Sequence, residues 1–183
     1  MVKRWVVMEL SRDFLFSALP TAELCCHMRS NESMLENQQY VGLAIDTRMI
    51  QQGDLFIALS GRYCDGHAFV RQALEKGAGG VIIRDRSCLD GIPTSILKNR
   101  LILVVADPYR ALINLARSWR HRLTIPLVGI TGSVGKTSTK ELLRSILVTA
   151  DISAYVSFKN QNTIIGFEFK YFTCAPYSPC CDI

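Results

Sequence analysis

Residues 127–147 read LVGITGSVGKTSTKELLRSIL: an apolar run, glycines at 129, 132 and 135, and then Leu142, Leu143, Ile146 and Leu147 at helical spacing. That order leaves few choices. The apolar run predicts a strand over Pro126–Ile130, the glycines a loop, and the leucine-rich stretch an amphipathic helix. Strand, glycine-rich loop and helix in succession form the setting of a phosphate-binding loop. Glycines let successive backbone N–H groups converge on phosphate oxygens, and the helix N-terminus adds partial positive charge. Lys136 has the length to reach a β- or γ-phosphate, and the Thr137 hydroxyl can ligate Mg²⁺. One position departs from the general pattern G-x-x-x-x-G-K-[ST], which wants Gly where this chain has Ile130.

Upstream, short strands and helices alternate, which predicts an α/β fold. Val41–Ile45 and Asp54–Leu59 read as strands, with Gln51-Gln52-Gly53 as the turn between them. Asp65-Gly66 opens a helix whose apolar residues Phe69, Val70, Ala73 and Leu74 share a face, and Gly77 closes it. Gly80–Ile83, Ser95–Leu97 and Leu101–Val105 read as further strands. Asp107-Pro108 has the chemistry of a helix start. The helix that follows carries Leu112, Leu115, Ala116, Trp119 and Leu123 on one side and Arg110, Arg117, Arg120 and Arg122 on the other. The arginines read as a solvated face. Met8–Leu19 is loosely helical and ends at Pro20; the rest of residues 1–39 carries little signal.

Of the 183 residues, 49% are hydrophobic and 20% charged, the proportions of a folded globular chain. The net charge of +5 suits phosphate-bearing ligands without arguing for nucleic acid. Apolar runs fall short of the roughly 18–20 residues that span a bilayer, so no membrane partner is expected. Seven cysteines, an odd number with no Cys-x-x-Cys pair, fit neither a disulfide scaffold nor a zinc site. Cys25-Cys26-His27 reads as incidental thiols, and the expected compartment is reducing and cytoplasmic.

Thr131–Ser138 fits the variant loop T-G-[ST]-x-G-K-[ST], and in this it resembles the Mur ligase family. Asp46-Thr47-Arg48, Gly53-Asp54-Leu55-Phe56-Ile57-Ala58-Leu59, Gly61 and Asp65-Gly66-His67-x-Phe69 are similar to that family's N-terminal, UDP-binding domain. Asn160-Gln161-Asn162-Thr163-Ile164-Ile165-Gly166 resembles the Asn-rich segment of its ATPase domain. The resemblance implies a small N-terminal α/β substrate domain over 1–105, followed by a truncated P-loop, parallel-sheet ATPase domain over 106–183. It implies ATP and Mg²⁺ as cofactors. Thr131, Gly132, Ser133, Val134, Gly135, Lys136, Thr137 and Ser138 would form the nucleotide loop, with Lys136 catalytic and Thr137 on the metal. Asp46, Thr47, Arg48, Asn162 and Thr163 would hold the UDP-sugar. Taken from the residues alone, Asp46 and Asp65 read as ordinary turn chemistry, and His67 as a first-turn residue of its helix.

Within the family, Gly-Ser-x-Gly-Lys-Thr-Ser followed by Lys140-Glu141 looks most like the branch that joins D-Ala-D-Ala to UDP-MurNAc-tripeptide through an acyl phosphate. The implied partners are therefore UDP-MurNAc-peptide and D-Ala-D-Ala, and a monomer is expected. The branch that adds the third amino acid is the nearest alternative; a stand-alone P-loop nucleotide-binding module is the other. Family members are more than twice this long, and residues 167–183, FEFKYFTCAPYSPCCDI, lack the family's continuation. The chain accordingly reads as an inactive remnant with a frameshifted tail. With so little sheet in the second half, Leu112, Trp119, Leu143 and Ile146 are expected to be partly exposed.

Overall fold

Three apolar runs, Leu55–Ile57, Gly80–Ile83 and Leu101–Val104, are too short for helices and lie next to one another as parallel strands. The computed structural model that shows this describes residues 10–25, 39–61, 64–124, 126–152, 154 and 156. It divides into two units, Val7–Ser118 and Trp119–Ile183 together with Met1–Val6.

In chain order the first unit contains β1 (Leu10–Ser11), α1 (Arg12–Ala18), β2 (Glu23–Leu24), β3 (Gln39–Tyr40), β4 (Leu43–Ala44) and β5 (Leu55–Ile57). A 3-10 turn (Gly66–Phe69) then leads into α2 (Val70–Glu75) and β6 (Gly80–Ile83). A second 3-10 turn (Arg86–Leu89), α3 (Thr94–Leu97) and β7 (Leu101–Val104) follow, and then α4 (Pro108–Arg122), whose residues from Trp119 on are counted in the second unit. The main sheet has the order β2-β7-β6-β5-β4, with β4 to β7 parallel and β2 antiparallel to β7. β1 and β3 pair separately, Leu10 opposite Tyr40. This is the α/β, parallel-sheet architecture expected.

One face of the sheet builds a core of Phe56, Ala58, Val81, Ile83 and Ile102 with Val70, Ala73 and Leu74 of α2 and Leu89, Ile92 and Leu97 beyond it. The alternate residues Leu55, Ile57, Ile82, Leu101 and Leu103 are equally buried. Continuous burial on both faces is the mark of a parallel sheet covered on both sides.

Several local expectations are corrected. The strand expected over Val41–Ile45 shrinks to β4, because Tyr40 pairs with Leu10 and Val41 N–H donates to the Gly53 carbonyl (3.1 Å). Met8–Leu19 is not one helix: Ser11 belongs to β1 and caps α1, its hydroxyl accepting from Phe14 N–H (3.2 Å). Ser95–Leu97 is helical, because Pro93 sets a helix start from which Ile96 and Lys98 N–H find the Pro93 and Thr94 carbonyls. Asp107 caps α4 as expected, accepting from Tyr109 N–H (2.8 Å). Leu112 and Trp119 are buried, contrary to the partial exposure expected, because the whole apolar stripe of α4 is covered.

In the second unit α5 (Lys136–Thr149) forms as expected, and Leu143 and Ile146 stay partly or fully exposed. Pro126–Ile130 does not form a strand: it is irregular, with Leu127 and Val128 exposed. A strand owes its form to neighbours, and no strand among the described residues of this unit lies beside it. The tail 167–183 lies outside the described residues.

Candidate nucleotide and substrate site

Gly135 precedes α5 at φ +80°, a left-handed backbone that side chains resist, with open space where a Cβ would stand. That turn aims the first N–H groups of α5 outward; the ladder begins only with Thr139 N–H on the Gly135 carbonyl (2.9 Å). No acidic residue sits in the first turn to repel an anion. Residues 131–139 are all exposed. The Lys136 ammonium curls back and donates to the Gly132 carbonyl, with the Ser133 carbonyl 3.5 Å away. Reaching a phosphate requires it to let these carbonyls go. Thr131–Ser138 thus form one contiguous loop with donors, a lysine and the Thr137 hydroxyl, and this fits a nucleotide phosphate with Mg²⁺. Behind it Lys140 pairs with Glu141 (2.8 Å), which holds that carboxyl below its usual range.

In the first unit the parallel strands carry their loops at the carboxyl edge, where open α/β sheets take ligands. Asp46, Thr47 and Arg48 form the turn after β4. Asp46 Oδ1 accepts from Arg48 N–H (2.9 Å), and Arg48 Nε and Nη2 hold the same carboxylate at 3.0 and 2.6 Å. These bonds from Arg48 keep the Asp46 carboxyl down at about 2. The turn chemistry read from the sequence is therefore present. Thr47 is buried, and its hydroxyl donates to Gln72 Oε1 (2.7 Å) while its carbonyl accepts from Lys76 Nζ (2.8 Å).

The next two loops are joined by His67. Arg84 N–H donates to its Nε2 (2.9 Å), so the ring proton sits on Nδ1 and is given to Asp65 Oδ1 (2.7 Å). Asp65 also accepts from His67 N–H (3.1 Å) and from the Ser60 hydroxyl (3.0 Å). The His67 ring bond first, and these others with it, keep the Asp65 carboxyl at about 2. Gly66 is required here: a Cβ would stand 2.7 Å from the Leu59 backbone. Opposite, Arg86 pairs with Glu23 (2.9 Å), and Cys88, its thiol pushed up to about 11 by burial, donates to the Asp85 carbonyl (2.9 Å).

Sequence reasoning singled out the loop residues and the Asp46–Arg48 turn, read His67 as a first-turn residue, and left out Gln72, Lys76 and Ser60, which hydrogen-bond Thr47 and Asp65. The Asp-x-His spacing at a helix start was the one available signal for His67. Asn162 and Thr163 lie outside the described residues, as do Cys26 and His27.

Residues 39–120 match the family described as "Mur ligase family, catalytic domain". A UDP-N-acetylmuramoyl-tripeptide–D-alanyl-D-alanine ligase of Synechocystis sp. is 39% identical over 133 residues, covering 73% of this chain and 28% of that one. Over this stretch the chain matches the Mur ligase family. Another Mur ligase, a UDP-N-acetylmuramoyl-L-alanyl-D-glutamate–2,6-diaminopimelate ligase of Syntrophomonas wolfei, is 36% identical over 116 residues, 62% of this chain and 22% of that one. Among solved Mur ligases, MurF from Acinetobacter baumannii superposes with a TM-score of 0.75 at 25% identity, over 93% of this chain and 34% of that one. MurF from Thermotoga maritima, in complex with ADP, superposes at 0.59 and 29% identity, over 72% of this chain and 28% of that one. The chain thus spans about a quarter of the length of the curated Mur ligases it matches. No helix among its described residues is long and apolar enough to cross a membrane.

Proposed function

We propose that this chain is the N-terminal part of a MurF-type ligase, which adds D-Ala-D-Ala to UDP-MurNAc-tripeptide in the cytoplasm, as a monomer. Residues 1–105 hold the UDP-sugar through Asp46, Thr47 and Arg48, and residues 106–183 hold ATP and Mg²⁺. The observation that carries the reading is the Thr131–Ser138 loop: an exposed helix start, a left-handed Gly135 and, directly after it, a lysine whose ammonium lies over the loop's own Gly132 carbonyl. The N–H groups of 136–138 and the Lys136 ammonium neutralise phosphate charge, and Thr137 ligates the metal. ATP, when bound, supplies the phosphoryl group that activates the peptide carboxylate for attack by the dipeptide amine. The names of the Synechocystis relative and of the solved MurF enzymes support this branch. The diaminopimelate ligase among the relatives supports the alternative branch. These 183 residues cover 28% of the Synechocystis enzyme, and they do not complete the ligation alone.

Calorimetric titration of Mg-ATP tests the reading. Lys136→Ala removes a charge-assisted contact worth about 1.5–3 kcal/mol, so affinity falls at least tenfold. Superimposable isotherms for the two proteins would remove Lys136 from the site. In the same format, tighter binding of UDP-MurNAc-tripeptide than of the dipeptide form separates this branch from the diaminopimelate one.

A further inference from the structure

The Asp46–Arg48 turn is short and faces solvent, yet its middle residue is buried and gripped twice. Thr47 Oγ1 donates to Gln72 Oε1 (2.7 Å), and Lys76 Nζ donates to the Thr47 carbonyl (2.8 Å). Gln72 lies in α2 and Lys76 is its C-cap, whose own N–H bonds the Gln72 carbonyl (3.0 Å). Four residues apart, the two side chains leave the helix on one face. The grip has a geometric effect. Pinning the Thr47 carbonyl fixes the plane of the Thr47–Arg48 peptide, and that plane directs the Arg48 N–H at Asp46 Oδ1 (2.9 Å). Asp46 in turn holds Arg48 Nε and Nη2, which leaves the rest of the fork, including both Nη1 hydrogens, turned to solvent; the Arg48 side chain is 85% exposed. An arginine held by one edge is a pre-set receptor for an anion at the other.

We infer that Gln72 and Lys76 are positioning residues, which hold the Asp46–Arg48 turn through Thr47 so that Arg48 presents its free edge to the diphosphate of a nucleotide-sugar. The ligand half of this rests on the proposed substrate role of the turn; the positioning half does not.

The test uses the 183-residue chain with two readouts. Amide hydrogen exchange at Arg48 and Met49 reports the turn itself, since Met49 N–H bonds the Asp46 carbonyl (3.0 Å). Calorimetry with UDP reports the ligand. Lys76→Met is expected to speed exchange at both amides and to weaken UDP about tenfold, while Val81–Ile83 stay protected and show that the sheet is intact. Gln72→Leu acts the same way, and Lys76→Arg restores both readouts. Unchanged exchange at Arg48 and Met49 in both Lys76→Met and Gln72→Leu would overturn the inference. A wild-type chain that binds no UDP, with exchange altered as expected, would overturn only the substrate role of the turn and uphold the positioning.

Discussion

Asp65 does three jobs with one carboxylate: it caps a 3-10 turn, orients the His67 ring and receives the Ser60 hydroxyl. Its carboxyl sits at about 2 against an ordinary 3.8, so between those values the unfolded chain binds the extra proton and the folded one does not. Stability from this group is therefore complete above about pH 4 and is lost as pH falls towards 2. Asp46, lowered by Arg48, acts in the same window and direction. Urea midpoints measured from pH 2 to 5 should rise with pH in the wild type. They should rise less steeply in Asp65→Asn, where one of the two carboxylates is gone. Equal slopes would mean the Asp65 bonds do not persist in solution. Both carboxylates face water, so added salt should flatten the wild-type slope as well.

Elements whose cause is local were legible in the sequence, and those whose cause lies elsewhere were not. β5, β6 and β7 are apolar runs of strand length, and α4 carries its Asp107-Pro108 start and a full stripe. Ser95–Leu97 failed because three residues carry no period and Pro93 decided the matter. Pro126–Ile130 failed because apolar character alone does not supply a ladder partner. The site divides the same way. Thr131–Ser138 is contiguous and so visible, whereas Gln72 and Lys76 lie 25 and 29 residues from the Thr47 they hold. Nothing in residues 46–48 announces them. At this scale Gly66 is the most exacting position, since it lets the 3-10 turn close against the end of β5. Gly66→Ala pushes a methyl into the Leu59 backbone at 2.7 Å and should cost about 1–3 kcal/mol. A urea midpoint equal to wild type would show that the turn can shift at no cost.

Across the whole molecule, burial changes character after Leu123. Ala111, Leu112, Leu115, Ala116, Trp119 and Leu123 are all buried, while Leu127, Val128, Val134, Leu142 and Ile146 are exposed. Protection from proteases follows burial and backbone bonding. Limited proteolysis should therefore cut first between residues 124 and 136 and leave a resistant piece reaching about Leu123. Fragments of equal lifetime on both sides of the loop would contradict this reading.

The antiparallel edge of the sheet also has a bearing on when the unit can finish. β4, β5, β6 and β7 are laid down in spatial order, each beside the one made just before it. β2 breaks that order: Leu24 sits opposite Leu103, about 80 residues later in the chain. At ribosomal speeds of about 5–20 residues per second, the early strand waits roughly 4–16 s for its neighbour β7 to be synthesised. Cys25, whose N–H bonds the Ile102 carbonyl, and Glu23, which pairs with Arg86, wait with it. A late stitch of this unit is thus made by an early strand, and a nascent chain halted before β7 would carry that strand without its partner.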